Sequence, residues 1–220
     1  MPLPARNSSK PSALFFDFRR TMTEEQEEFV NSIIDNPVTI CNARAGTGKT
    51  LMSLLAARYL IEVESNSGIH SAYYIFSPVQ ESAMGHRPGS QLEKEQAYHL
   101  PVVDAMVEMG YQPEQLERPD FWLKIESDTF LRGTNKQNAV VIIDEAQNFT
   151  VDQLKKVISR VHDTCRLVVI GHTGQIDLKN KKSSGFERLI EVFSPHTDKV
   201  KVCNLTKNFR GWISIMADEL

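Results

Sequence analysis

The stretch Ala43-Arg44-Ala45-Gly46-Thr47-Gly48-Lys49-Thr50 constrains this chain more than any other feature. A short apolar run over residues 38–42 precedes it and a helical pattern over 50–63 follows it. That strand–turn–helix context is what a phosphate-binding loop requires. Gly46 and Gly48 let the backbone turn tightly so that N–H groups gather around an anion, and the helix N-terminus adds its dipole. Lys49 brings a charge to the β- and γ-phosphates, and the Thr50 hydroxyl is a ligand for Mg²⁺. The expected nucleotide cradle is therefore Ala45, Gly46, Thr47, Gly48, Lys49, Thr50 and Leu51. Phosphate loops usually open with Gly where Ala43 stands. At positive φ an Ala there costs about 1 kcal/mol or more, whereas in extended backbone it costs little.

A second motif supports the first. Val140-Val141-Ile142-Ile143-Asp144-Glu145 is an apolar strand ending in two acids. Such a strand is expected to run beside the phosphate-loop strand and to deliver Asp144 toward Mg²⁺, directly or through water. Glu145 then faces the γ-phosphate, where a carboxylate can act as general base on the attacking water.

Between these motifs the pattern alternates. Strands are expected at 38–42, 72–77, 121–127, 139–143, 166–170 and 199–205. Helices are expected at 22–35, 50–63, 92–109 and 151–162, with a short one at the C-terminus, and Pro101 should kink or interrupt the third. Thr23 and Gln26 have capping-box spacing at the first helix. Apolar strands separated by helix-length segments predict an α/β fold, a RecA-like P-loop NTPase with a central, mostly parallel sheet and helices on both faces. Residues 22–220 form one domain on this reading, preceded by a flexible arm over 1–21 whose first part is rich in Pro, Ser and basic residues.

Composition narrows the function classes. A net charge of −3 excludes coating of nucleic acid by bulk electrostatics, so any such site must be a local basic patch. Cys41, Cys165 and Cys203 form no CxxC pair and read as reduced, buried thiols rather than metal ligands. No apolar run is long enough for a membrane span and the N-terminus lacks an apolar leader core, so the chain is expected in the cytoplasm.

With these residues in hand the chain resembles the PhoH-like ATPase family, whose core is similar to the first motor domain of superfamily one helicases. The resemblance rests on Ala45–Thr50 (AGTGKT), Tyr98-x-x-Pro101-x-x-Asp104, Phe130-Leu131-Arg132-Gly133 and Ile142–Asn148 (IIDEAQN). It continues through Thr150-x-x-Gln153-x-Lys155, Gly171-x-x-x-Gln175-Ile176-Asp177-Leu178, Ser184-Gly185 and Asn208-Phe209-Arg210. It implies ATP and Mg²⁺ as cofactors and ATP hydrolysis as the reaction. Gln175 would be the sensor of the γ-phosphate or attacking water, Gln147 either a link from the metal site to that sensor or a helix-start residue, and Gln26 an adenine reader, with capping of Thr23 as its rival role. Gln153 reads better as the capping partner of Thr150. Arg210 matches a late arginine that acts as a finger on the transferring phosphoryl group. This chain is too short to hold a second motor domain, so Arg210 is expected to act in trans in a head-to-tail ring. Three positions depart from the family pattern: Ala43, His172 in place of Asp, and Ser77 in place of Arg.

The resemblance also implies single-stranded RNA or DNA as partner, gripped by Lys179, Lys181 and Lys182 in a basic loop together with Arg87 and Arg132, with Tyr98 as a base stacker. Two other readings stay open: a small-molecule phosphotransferase, and a nucleotide-gated interaction module with weak hydrolysis.

Overall fold

The computed structural model describes residues 21–64, 66–78, 91–129 and 135–217. Helix α1 (Glu24–Asp35) begins where the side chain of Thr23 accepts from the Gln26 N–H while the Gln26 side chain accepts from the Thr23 N–H, the expected capping box. It is followed by β1 (Val38–Ala43) and α2 (Lys49–Glu62), then β2 (Ser71–Phe76) and α3 (Gln91–Glu108). Next come β3 (Leu123–Ser127), β4 (Ala139–Ile143), α4 (Val151–Ile158) and β5 (Arg166–Gly171). The chain closes with α5 (Phe186–Phe193), β6 (Val200–Leu205) and α6 (Trp212–Ala217).

All six strands are parallel and lie in the order β3-β2-β4-β5-β1-β6. Alternate side chains of each central strand feed opposite cores, as a sheet covered on both faces demands. Val140, Ile142, Val168 and Ile170 pack with Phe29, Leu54, Leu55 and Met106 on the α1–α2–α3 face. Val141, Ile143, Leu167 and Val169 pack with Phe149, Leu154, Phe186 and Leu189 on the α4–α5 face. Cys41, Cys165 and Cys203 are free and buried.

Four local expectations are corrected. The acid-bearing strand β4 does not run beside β1, because β5 pairs with both and separates them. Helix α3 continues through Pro101, since Val102, Ala105 and Met106 beyond it are buried in the core and hold the second half in place. The helix expected to reach residue 162 stops at Ile158, where the chain turns so that Val161 bridges to Lys136. The strand expected from residue 121 starts at Leu123. The segment 130–133 and residues 1–20, which include nearly all of the expected arm, lie outside the described residues, as does the Tyr98 side chain.

Phe149 follows the acid motif directly and is fully buried on the α4–α5 face. Phe149→Ala is expected to destabilise the fold by about 3–5 kcal/mol, read as a lowered urea midpoint with an unchanged slope.

Candidate active site

In a parallel sheet every strand ends on the same edge, so the loops after β1, β4 and β5 gather there without further design. The interposed β5 holds β1 and β4 two strand spacings apart, roughly 10 Å. The phosphate loop crosses that gap. Gly46 and Gly48 both take φ +80, and Gly48 caps α2 in the left-handed region. Ala43, by contrast, is the buried last residue of β1 and is not among the positive-φ positions. Its methyl group therefore meets no left-handed backbone there.

The loop is braced from three sides. Thr47 Oγ1 donates to the Arg44 carbonyl at 3.0 Å, closing the turn. Gln26 Nε2 donates to the Thr47 carbonyl at 3.0 Å, so the capping amide of α1 also supports the loop. The Phe209 N–H donates to the Gly46 carbonyl at 2.8 Å. A Cβ on Gly46 would sit 2.5 Å from Asn208 Oδ1 and 2.8 Å from Arg210 Cγ. The stem of Arg210 thus lies on the phosphate loop of its own chain. Thr206, held through its N–H and hydroxyl by the Glu25 carboxylate at 2.7 Å each, anchors the strap that carries Asn208 and Arg210.

The side chains named from the two motifs converge. Thr50 Oγ1 donates to Asp144 Oδ2 at 2.7 Å although 94 residues separate them. Lys49 Nζ stands 3.6 Å from Glu145 Oε1, the lysine being 7% exposed and the glutamate 50%. A hydroxyl beside one carboxylate is a hard-oxygen pair suited to Mg²⁺, which keeps waters and substrate phosphates as its other ligands. No group of three or more His, Cys, Asp or Glu side chains that could cage a metal occurs among the described residues.

Glu145 is held in a special conformation. Its backbone is left-handed at φ 50, a state costing a non-Gly residue about 1–2 kcal/mol. Two contacts retain it: its N–H donates to Asp144 Oδ1 at 2.7 Å, and its carbonyl accepts from the Asn148 N–H at 2.8 Å. Burial and then the Asp144 charge push its carboxyl above the ordinary 4.5, while Lys49 and the Gln147 amide pull the other way. Its exposed half keeps that upward push smaller than in a sealed site.

Gln147 forms the expected link. Its Nε2 donates to Glu145 Oε2 at 2.5 Å and its Oε1 accepts the His172 N–H at 2.9 Å. Gly171, ending β5, makes room for it, since a Cβ there would come within 2.7 Å of Gln147 Oε1. Asn148 grips the same loop, donating to Asp177 Oδ2 at 3.1 Å and accepting the Asp177 N–H at 2.8 Å. Asn42 Oδ1 accepts the Thr173 N–H at 3.2 Å. The loop carrying Gln175 is thereby tied to both β1 and β4. Gln175 itself is half-buried, its N–H donating to the His172 carbonyl at 3.2 Å.

Gln153 caps α4 with Thr150, and its Nε2 donates to Ser77 Oγ at 3.0 Å and Asp128 Oδ2 at 2.9 Å. Ser77, where an arginine was expected, is therefore absorbed into a buried polar bridge. Lys179, Lys181 and Lys182 are exposed around a 3₁₀ turn at Lys181–Ser183, and Ser184 just after it bridges to Thr150 at the sheet's C-terminal edge. Arg87 and Arg132 lie outside the described residues. The residue that sequence reasoning missed is Tyr74, whose buried hydroxyl donates to Asp144 Oδ2 at 2.8 Å. Nothing local in its apolar strand signals that contact.

The profile of the family described as PhoH-like protein matches residues 20–210. A PhoH-like protein of Synechocystis is 33% identical over 195 residues, which cover 86% of this chain and 57% of that protein. Protein PhoH of Escherichia coli is 32% identical over 176 residues, covering 77% of this chain and 48% of that one. The chain spans about half the length of the curated relatives it matches. Among solved structures, the DUF1998 helicase MrfA, crystallised bound to DNA, aligns with 94% of this chain and 30% of its own at a TM-score of 0.51 and 13% identity. That likeness is one of fold.

Proposed function

Because this chain belongs to the PhoH-like protein family, we propose that it is an ATPase that hydrolyses ATP with Mg²⁺ and couples hydrolysis to single-stranded RNA or DNA. The observation that carries the reading is the convergence of Lys49, Thr50, Asp144 and Glu145 on one phosphate loop.

The roles follow from the geometry. A phosphate group held by the Lys49 ammonium lies within reach of Glu145, because the two side chains stand 3.6 Å apart. Glu145 takes the proton of the attacking water as that water adds to the γ-phosphorus, and the bond to the β-phosphate oxygen breaks to leave ADP and inorganic phosphate. Bound between Thr50 and Asp144, Mg²⁺ would neutralise charge on the β- and γ-phosphate oxygens. Gln147 aims Glu145, and the loop carrying Gln175 follows any shift of Glu145 through the Gln147 amide. Gln26, already bonded at both ends of its amide, retains one N–H and one lone pair with which to read the adenine edge. Arg210, whose stem lies on Gly46 of its own chain, would stabilise the transferring phosphoryl group. The exposed Lys179, Lys181 and Lys182 supply the local basic patch for a nucleic-acid backbone, and the fold neighbour crystallised on DNA gives the nucleic-acid reading further support.

The test is turnover with and without a homopolymeric single strand. Wild-type rates should rise with the polynucleotide, and Glu145→Gln should lose about 10²–10⁴-fold in kcat while still binding nucleotide. Equal rates for wild type and Glu145→Gln would sink the reading.

The position of Arg210 makes a separate prediction. Arg210→Ala should cost about 10²–10³-fold in kcat, and mixing it with Lys49→Ala protein should restore nothing. Recovery of activity in the mixture would instead establish a ring with Arg210 acting across the subunit boundary.

A pH effect follows from the raised Glu145 carboxyl. A base must be ionised, so a raised pKa means the ionised fraction falls at a higher pH than for an ordinary glutamate, and the acid limb of kcat/KM should lie above pH 4.5. Removing the Gln147 amide, which stabilises the carboxylate, should move that limb to still higher pH in Gln147→Ala. A limb that moves to lower pH, or stays in place, would contradict this assignment.

A further inference from the structure

Asp144 is 1% exposed and carries its charge among apolar strands, so each of its oxygens requires donors. The Lys49 ammonium faces Glu145 instead. The carboxylate is held by three neutral groups. The Glu145 N–H donates to Oδ1 at 2.7 Å, whereas Thr50 Oγ1 at 2.7 Å and the Tyr74 hydroxyl at 2.8 Å both donate to Oδ2. Two of these come from the phosphate-loop helix and the acid motif itself. The third comes from β2, the strand beside β4, where Tyr74 lies in register with Ile142. From there the ring leans along the strand direction to meet Asp144 two residues further on. Its body is 2% exposed and packed in the α1–α3 core, so the phenol is fixed before anything binds.

We propose that Tyr74 is a positioning residue for the metal site. Its buried hydroxyl locks the Asp144 carboxylate in the orientation in which Oδ2 meets the Thr50 hydroxyl and the carboxylate faces Mg²⁺. The proposal rests on the ATPase reading above. Thr50 alone cannot set this orientation, because a hydroxyl that binds a metal through its oxygen turns its O–H about that new bond. The Tyr74 hydroxyl is a second donor to the same oxygen, and its ring is held in the core. Groups that hold a metal-facing ligand in this way commonly change metal affinity or activity by about 10–100-fold when removed.

Tyr74→Phe in the full chain deletes one oxygen and keeps the ring. With a non-hydrolysable ATP analogue bound, Mn²⁺ affinity measured by electron paramagnetic resonance should fall about tenfold. Half-saturating Mg²⁺ for turnover should rise by a similar factor, while the KM for ATP at saturating Mg²⁺ and nucleotide affinity in EDTA stay at wild-type values. A purely structural hydroxyl would lower the melting temperature and leave metal affinity alone. Should the Phe variant fold poorly, para-aminophenylalanine at position 74 decides the matter. It keeps a donor on the same ring and should hold wild-type Mn²⁺ affinity, and a weakened metal site with that donor present overturns the proposal. Unchanged Mn²⁺ affinity in a folded Tyr74→Phe protein overturns it too. Failure of the wild-type protein to bind Mn²⁺ with the analogue would instead strike the ATPase reading itself.

Discussion

The spacing between β1 and β4 governs the site. A glycine turn ending β1 and a carboxylate pair ending β4 cooperate only if something fills the roughly 10 Å between two non-adjacent strands. Strand β5 fills it, and its last residue is Gly171, whose bare backbone lets the Gln147 amide pass across the strand end. The phosphate loop arches over the same gap and returns Lys49 and Thr50 to Glu145 and Asp144. Had β4 paired directly with β1, there would be no strand end between them to carry the loop that bears Gln175.

Side-chain amides do most of the joining at this edge. Gln26, Asn42, Gln147 and Asn148 each use both ends of one amide, and all four span more than twenty residues of chain. An amide suits this work because it donates and accepts at once and carries no charge that would compete for phosphate. The Lys49 ammonium is thereby left to face Glu145. The left-handed backbone of Glu145 belongs to the same economy of means: strain concentrated at one residue is retained because the neighbouring hydrogen bonds over-determine it.

Much of this was legible in the residues. The parallel α/β fold follows from apolar strands alternating with helix-length segments, and the four charged or hydroxyl groups of the site lie in two contiguous motifs. The capping boxes of Thr23–Gln26 and Thr150–Gln153 are four-residue patterns and appear as read. Tyr74 could not be read, because its partner is 70 residues away and its strand neighbours make it look like core. The order of the strands could not be read either, since β1, β4 and β5 are all largely buried strands and nothing within any one of them names its neighbour. Whether Ala43 was a flaw turned on one dihedral angle, and Ala43 proved to end a strand.

Local pattern therefore determined which groups this protein carries: a glycine turn with its lysine and threonine, a strand ending in two acids, and the helices that present them. Only tertiary packing decided how those groups meet, because contacts such as Thr50–Asp144, Gln147–His172 and Phe209–Gly46 join segments far apart in the chain. Which strand lies next to which depends on how all the helices can cover both faces of one sheet together, and no short stretch of residues encodes that.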